Sequence, residues 1–275
     1  MTESAPPADA VVARPAATVV LLRDRDGTGV EVHLQQRRAE MDFGGSAYVF
    51  PGGSVDAGDA ADETLAPLAD IDLGATAARM HLDGDAAALR LCAALHVCAV
   101  REVFEEAGLL LAVGAGATAD PDAGTLEAAR LRVQRGASFG AELVALGRRA
   151  HVEALRYVAH CITPVGSPRR FDTRFFATRA PADQVDAFHA AEAQLGGWFA
   201  PAEVLAGHGH GDVFLMPPTQ IMLAELSHHR DVDSVLATLG ARPVADILFS
   251  WEGLGMPLPD HLPGPDELAS LGGQL

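Results

Sequence analysis

Apolar and polar positions change period several times along the chain. Ala17 to Leu22 is a nearly unbroken apolar run, which predicts a buried strand. Asp24 to Gly29 reads as a turn, and Val30 to Gln36 alternates enough to be the hairpin partner. Tyr48 to Phe50 is a further short strand leading into a glycine pair. Leu89, Ala93, His96, Val100, Val103 and Ala107 recur at helical spacing, so Ala86 to Ala107 predicts one long helix, capped by Gly108. Before it, residues 60–86 are rich in Asp and Ala, with a short helix around Ala75 to His81. After it, residues 124–133 and 138–160 read as helices parted by Gly136. Phe171 to Thr178 and Gly197 to Phe199 return to strand character, while Pro201 to Leu205 and Thr219 to Thr238 read as helices. Residues 1–14 look like a loose tail, and 244–275 form an extension with an apolar patch (Ile247, Leu248, Phe249, Trp251) ahead of a Pro-rich end.

Composition sharpens this picture in two ways. With 275 residues and 49% apolar content the chain can bury a full core, as one large domain or two small ones. A net charge of −17 disfavours nucleic acid as a partner, although local arginines and a cation would let a small phosphorylated ligand bind. Cys92, Cys98 and Cys161 show no Cys-x-x-Cys spacing, which points to reduced thiols in a cytoplasmic protein. The longest apolar stretch, Leu91 to Val100, contains His96 and is too short to span a bilayer. His96 reads as a core histidine, His208 and His210 as loop, and His228 and His229 as a helix end. The wealth of Ala, Gly, Arg and Asp would suit a GC-rich bacterial gene.

The chemistry concentrates in Arg101-Glu102-Val103-Phe104-Glu105-Glu106-Ala107-Gly108-Leu109. On a regular helix Glu102, Glu105 and Glu106 share one face, because positions three and four apart are neighbours. Like charges that close need compensation, and carboxylate oxygens suit a hard divalent cation such as Mg²⁺ or Mn²⁺. Upstream, Phe50-Pro51-Gly52-Gly53-Ser54-Val55-Asp56-Ala57-Gly58-Asp59 runs from a strand end into a glycine-rich turn.

Together these two segments resemble the Nudix box, with Gly53 as its first glycine, Asp59 as its acid and Arg101 through Leu109 as its second half. Ala60 to Val100 lie between the halves, where the box normally has seven residues. An interrupted box of this kind resembles the branch typified by the peroxisomal coenzyme A diphosphatase. Pro168-Arg169-Arg170-Phe171-Asp172-Thr173-Arg174-Phe175-Phe176 and Met216-Pro217-Pro218-Thr219 agree with that branch.

The resemblance implies an α/β fold, the Nudix α/β/α sandwich around a mixed sheet, over residues 15–243. Residues 60–100 are then an insertion within the box and 115–160 a helical insert. It implies metal ligation by Glu105, Glu106 and a backbone carbonyl at Gly53, with Glu102 as general base or further ligand. Arg101 orients these acids, Asp59 ties loop to helix, and Glu192 is a candidate distal acid. Arg37, Arg38, Arg170 and Phe171 are candidate substrate contacts. The implied reaction is metal-dependent hydrolysis of a diphosphate bond, with coenzyme A or an acyl-coenzyme A leading and ADP-ribose or NADH as alternatives. A ligand sensor without turnover is the rival of another class, and a homodimer is suggested by the resemblance alone.

Overall fold

The computed structural model describes residues 11–40, 45–65, 71–115, 120–163, 167, 169–189, 193–244 and 246–248. Glu192, Phe249 and Trp251 of the sequence expectations lie outside these residues, as do residues 1–10 of the tail.

The apolar run near the N-terminus becomes β1 (Arg14–Asp24), whose alternate residues face two different cores. Ala17, Val19 and Leu21 pack on one side; Val20 and Leu22 pack on the other. β1 pairs antiparallel with β2 (Val30–Arg37) and parallel with β8 (Phe171–Arg179). The mixed sheet runs β10 (Phe214–Leu215), β3 (Ala47–Val49), β2, β1, β8, β7 (Arg156–Ile162), β11 (Asp246–Leu248). Two further strands branch from it: β4 (Gly52–Ser54) pairs with β1, and β9 (Ala193–Phe199) pairs with β2. β5 (Ala112–Gly114) and β6 (Arg148–Ala150) form a separate two-stranded sheet.

Helices cover both faces, so the expected α/β/α sandwich is what forms. On one face lie α2 (Leu73–Arg79), α3 (Ala86–Glu102), α4 (Ala123–Gln134) and α5 (Phe139–Ala145), contributing Ala77, Leu95, Val133 and Phe139 to that core. On the other lie α6 (Pro201–His210), α7 (Pro217–Leu226) and α8 (Val232–Ala241), contributing Val204, Leu223, Leu226 and Val235. A one-turn α1 (Asp62–Leu65) precedes α2.

Three sequence readings need correction. The glycine pair at 52–53 is a strand, β4, because its backbone pairs with Ala17 and Thr18 so closely that a Cβ on Gly52 would lie 2.5 Å from the Ala17 carbonyl oxygen. The single helix read over 138–160 is only α5; Gly147, at φ 63°, ends it, and Arg156 to Ile162 pair with β8 instead. The helix read over 219–238 is two, separated at 227–231, where Asp231 starts α8 with a reciprocal side-chain cap to Ser234. His96 is the core histidine expected: its Nδ1 lies 2.7 Å from the Cys92 carbonyl, its ring packs on Phe176, and burial lowers its pKa.

Residues 71–100 of the box insertion pack on the first of the two faces. Asp72 and Asp85 cap α2 and α3 by accepting from Ala75 N and Ala88 N. Arg79, at the end of α2, donates to the carbonyls of Tyr157 (3.4 Å), Gly240 (2.6 Å) and Arg242 (2.9 Å), joining the insertion to β7 and the end of α8. Replacing Arg79 by Ala removes these charged donors and is expected to cost about 2 kcal/mol. A lowered urea midpoint with an unchanged slope checks this.

Candidate active site

α3 does not end as an α-helix. From Val103 to Ala107 the last turn widens into a π-helical turn, and Gly108 closes it in the left-handed conformation at φ 71°. Glu102 and Glu105 meet at one guanidinium, that of Arg101, whereas Glu106 turns to other partners.

Arg101 organises the first two. Its Nε and Nη2 donate to both oxygens of Asp59 at 2.7 and 2.9 Å, and Nη2 also reaches the Ser54 carbonyl at 3.2 Å. Its Nη1 donates to Glu102 Oε1 and Glu105 Oε1, each at 2.9 Å. Asp59 is 1% exposed and Arg101 9%, so this is a buried ionic cluster rather than a solvated acidic face. Burial works against the Arg101 charge, yet the hydrogen bonds and charge of Asp59 and the charge of Glu102 outweigh it and raise its pKa. Arg101 thus touches two of the box glutamates, and Asp59 joins the loop to the helix.

Glu102 sits where β4 comes closest to the helix. A Cβ on Gly53 would lie 2.3 Å from Glu102 Oε1, so only glycine permits this approach. Burial raises the Glu102 carboxyl to about 7, Arg101 pulls it down, and Glu105 raises it further. Glu106 turns elsewhere: its Oε2 accepts from Gly52 N at 2.8 Å and from Gln35 Nε2 at 2.6 Å. The Gly53 carbonyl faces the thiol of Cys98 at 3.5 Å.

Gln35 was absent from the sequence reading, although a signal existed. It alternates with His33 on β2, on the face opposite Val32 and Leu34, and a buried polar pair in such a strand needs partners. His33 packs edge-on against Trp198, whose Nε1 donates to Asp186 at 2.9 Å. The segment carrying Asp186 also closes the helix end: Ala187 N donates to the Ala107 carbonyl at 2.8 Å.

The other predicted contacts separate. Arg37, at the end of β2, lies on the same strand as Gln35, and its buried Nε has no hydrogen-bond partner among the described residues. Arg38 is exposed beside Glu40, at 3.7 Å. Arg170 donates to the carbonyls of Thr163 and Val11, each at 2.9 Å, and Phe171 starts β8 opposite Arg14. β1 pairs Ala17 with Gly53, so Phe171 lies three β1 positions from the level of Gly53, roughly 10 Å along the strand. The structure thus gathers Gly52, Gly53, Asp59, Arg101, Glu102, Glu105 and Glu106 and leaves Arg170 and Phe171 outside that group.

The sequence profile of the NUDT19 Nudix domain matches residues 8–226. The chain belongs to this Nudix family. Among curated proteins it is 31% identical over 241 residues to the acyl-coenzyme A diphosphatase NUDT19 of Gallus gallus, covering 74% of this chain and 63% of that one. It is 30% identical over 237 residues to the Homo sapiens protein of the same name, covering 74% and 62%. The matched region is thus a little under two thirds of the length of these Nudix relatives. Among solved structures it resembles a NUDIX hydrolase from Alicyclobacillus acidocaldarius, with a TM-score of 0.68 and 26% identity over 84% of this chain and 99% of that one.

The Glu102 carboxyl gives a pH signature. Folding holds its proton up to about pH 7, whereas its ordinary value is 4.5. The folded state therefore binds more protons in this window, and this contribution to stability, full below pH 4.5, is lost as pH rises through 7. The uncharged Glu102→Gln variant avoids that loss. In metal-free buffer its melting temperature is expected to gain on the parent protein as pH rises across this window; a constant difference would refute the assignment.

Proposed function

We propose that the chain hydrolyses a diphosphate bond in coenzyme A or an acyl-coenzyme A, with Mg²⁺ or Mn²⁺, yielding 3′,5′-ADP and a 4′-phosphopantetheine species. The observation that carries the reaction type is the buried cluster of Arg101, Glu102 and Glu105 against the Gly52–Gly53 strand, inside a chain of the Nudix family. The substrate class rests on the names of the matched relatives.

The donor set fits a hard divalent cation. Three glutamates within five residues offer only oxygen, and the buried Gln35 Oε1 beside Glu106 has no partner among the described residues. Among those residues no three acidic or imidazole side chains are drawn together closely enough to hold an ion as they stand; Arg101 supplies the positive charge between Glu102 and Glu105. Held by Glu102, Glu105 and Glu106, a cation would neutralise diphosphate charge and acidify a water. Where Glu102 stays outside the cation's shell, it is the carboxylate that takes a proton from attacking water. Arg101 bridges and orients Glu102 and Glu105 through one nitrogen, and Gly52 N and Gln35 orient Glu106. Water adds to phosphorus, the bridging P–O bond breaks, and two phosphomonoesters leave. Arg37 is the arginine best placed to meet a phosphate, through its unpartnered Nε.

No helix of the described residues is long and apolar enough to cross a membrane. The retained acids favour turnover over a purely sensing role.

Incubation with Mg²⁺ or Mn²⁺ and coenzyme A, acetyl-coenzyme A, dephospho-coenzyme A, ADP-ribose or NADH, with chromatography of the products, tests the reading. Release of 3′,5′-ADP from coenzyme A and acetyl-coenzyme A is expected, and preferential cleavage of ADP-ribose or NADH would overturn the substrate while keeping the chemistry. Glu102→Gln is expected to lower kcat by roughly 10²- to 10⁴-fold. Glu105→Gln and Glu106→Gln are expected to abolish metal-dependent turnover without unfolding the protein, and persistence of activity in both would remove the metal assignment.

A further inference from the structure

The π-helical turn that carries Glu105 and Glu106 is gripped from outside the box. The main-chain carbonyl of Glu105 accepts two side-chain hydrogen bonds from α4, from Arg130 Nε at 3.0 Å and Gln134 Nε2 at 2.7 Å. A carbonyl oxygen has two lone pairs, so this pair saturates it. Arg130 and Gln134 are one helical turn apart and present the same face of α4. Arg130 is 4% exposed, and its Nη1 is steadied by Glu127 at 3.1 Å. Asp122 anchors the start of α4 by accepting from Thr125 N at 2.7 Å. On the other side of the turn Ala187 N takes the Ala107 carbonyl. Two of its carbonyls, those of Glu105 and Ala107, are thus held by partners remote in sequence.

A helix left to itself closes on the carbonyl four residues back, and a π turn persists where something else satisfies the displaced groups. Reverting to the α register would rotate the residues beyond the slip by one residue step, roughly 100°. Glu106 would then leave Gly52 and Gln35.

We propose that the helical insert is a positioning brace. Arg130 and Gln134 act through the Glu105 carbonyl to fix the carboxylates of Glu105 and Glu106, and so set how tightly the cluster holds a divalent cation. The proposal rests on the metal-dependent reading above. Neither residue needs to touch substrate for this.

The test uses the full chain and Mn²⁺ alone, with affinity read by electron paramagnetic resonance and the metal-free melting temperature measured alongside. Gln134→Met keeps the length and removes the donor; it is expected to weaken Mn²⁺ binding about tenfold, in line with other groups that orient ligands from behind. Arg130→Met is expected to act in the same direction, with Arg130→Lys, which keeps one donor, recovering part of the affinity. A purely structural role would lower the melting temperature and leave the Mn²⁺ dissociation constant of the folded protein unchanged; that result in Gln134→Met overturns the brace, even if Arg130→Met fails to fold. Glu105→Gln separates the two readings. If it leaves Mn²⁺ binding intact, the metal assignment fails; if it abolishes binding while Gln134→Met does not weaken it, only the brace fails.

Discussion

The guanidinium of Arg101 is the group on which loop, helix and acidic cluster all depend. One planar fork reaches Asp59 with two nitrogens, the Ser54 carbonyl with one of them, and Glu102 and Glu105 with the third. Taking one such charge out of water costs several kcal/mol, so neither Arg101 nor Asp59 would be tolerated in this place without the other. A buried network of this kind adds little net stability over a well-packed apolar substitute. What it does is fix position. The strand carrying Gly53 cannot drift from α3 while Ser54 and Asp59 are held by the same side chain that holds two of the glutamates.

That contact also explains how the box tolerates its interruption. Asp59 and Arg101 touch although Ala60 to Val100 separate them in sequence, so the insertion leaves and returns at one point in space. Closing a longer loop costs only a logarithmic increment of entropy. The insertion recovers contacts of its own: Arg90 donates to the Ala60 carbonyl at 2.6 Å, and Arg79 ties α2 to the far flank. The extra chain therefore extends the N-terminal part of the helix and one face of the sandwich. The carboxylate end keeps its geometry.

The boundary between what was legible in sequence and what was not follows from how local each cause is. β1 and the long helix announce themselves because burial repeats at their own period, and the left-handed cap at Gly108 follows from the residue standing there. The acidic cluster and its arginine are legible as a set. Their arrangement is not, because the π register depends on Arg130 and Gln134, more than twenty residues downstream in another helix. β7 fails for a similar reason. Arg156 to Ile162 carry no clean alternation, and only pairing with β8 makes them a strand. The break between α7 and α8 was more accessible, since Asp231 followed by Ser234 is a helix start written in the sequence. Arg170 was placed at the site by likeness alone, and the structure shows its guanidinium committed to main-chain carbonyls.

The three glutamates show how one helix turn can hold identical side chains in unlike states. Each is governed by a different element. Glu102 faces β4, where the missing Cβ of Gly53 lets the strand press close enough to strip away water and raise its carboxyl to about 7. Glu105 shares Arg101 with it but takes its main-chain position from α4. Glu106 is claimed by the backbone of Gly52 and the amide of Gln35, from the sheet. A regular α-helix would have set all three on one face in nearly equivalent surroundings, where mutual repulsion would be the dominant effect. Arg101 offsets that repulsion between Glu102 and Glu105, and the sheet takes Glu106 away from it. The differences in the surroundings of the carboxylates are thus imposed by the fold around the helix: strand β4 crowds Glu102, α4 holds the main chain of Glu105, and β2 and β4 claim Glu106.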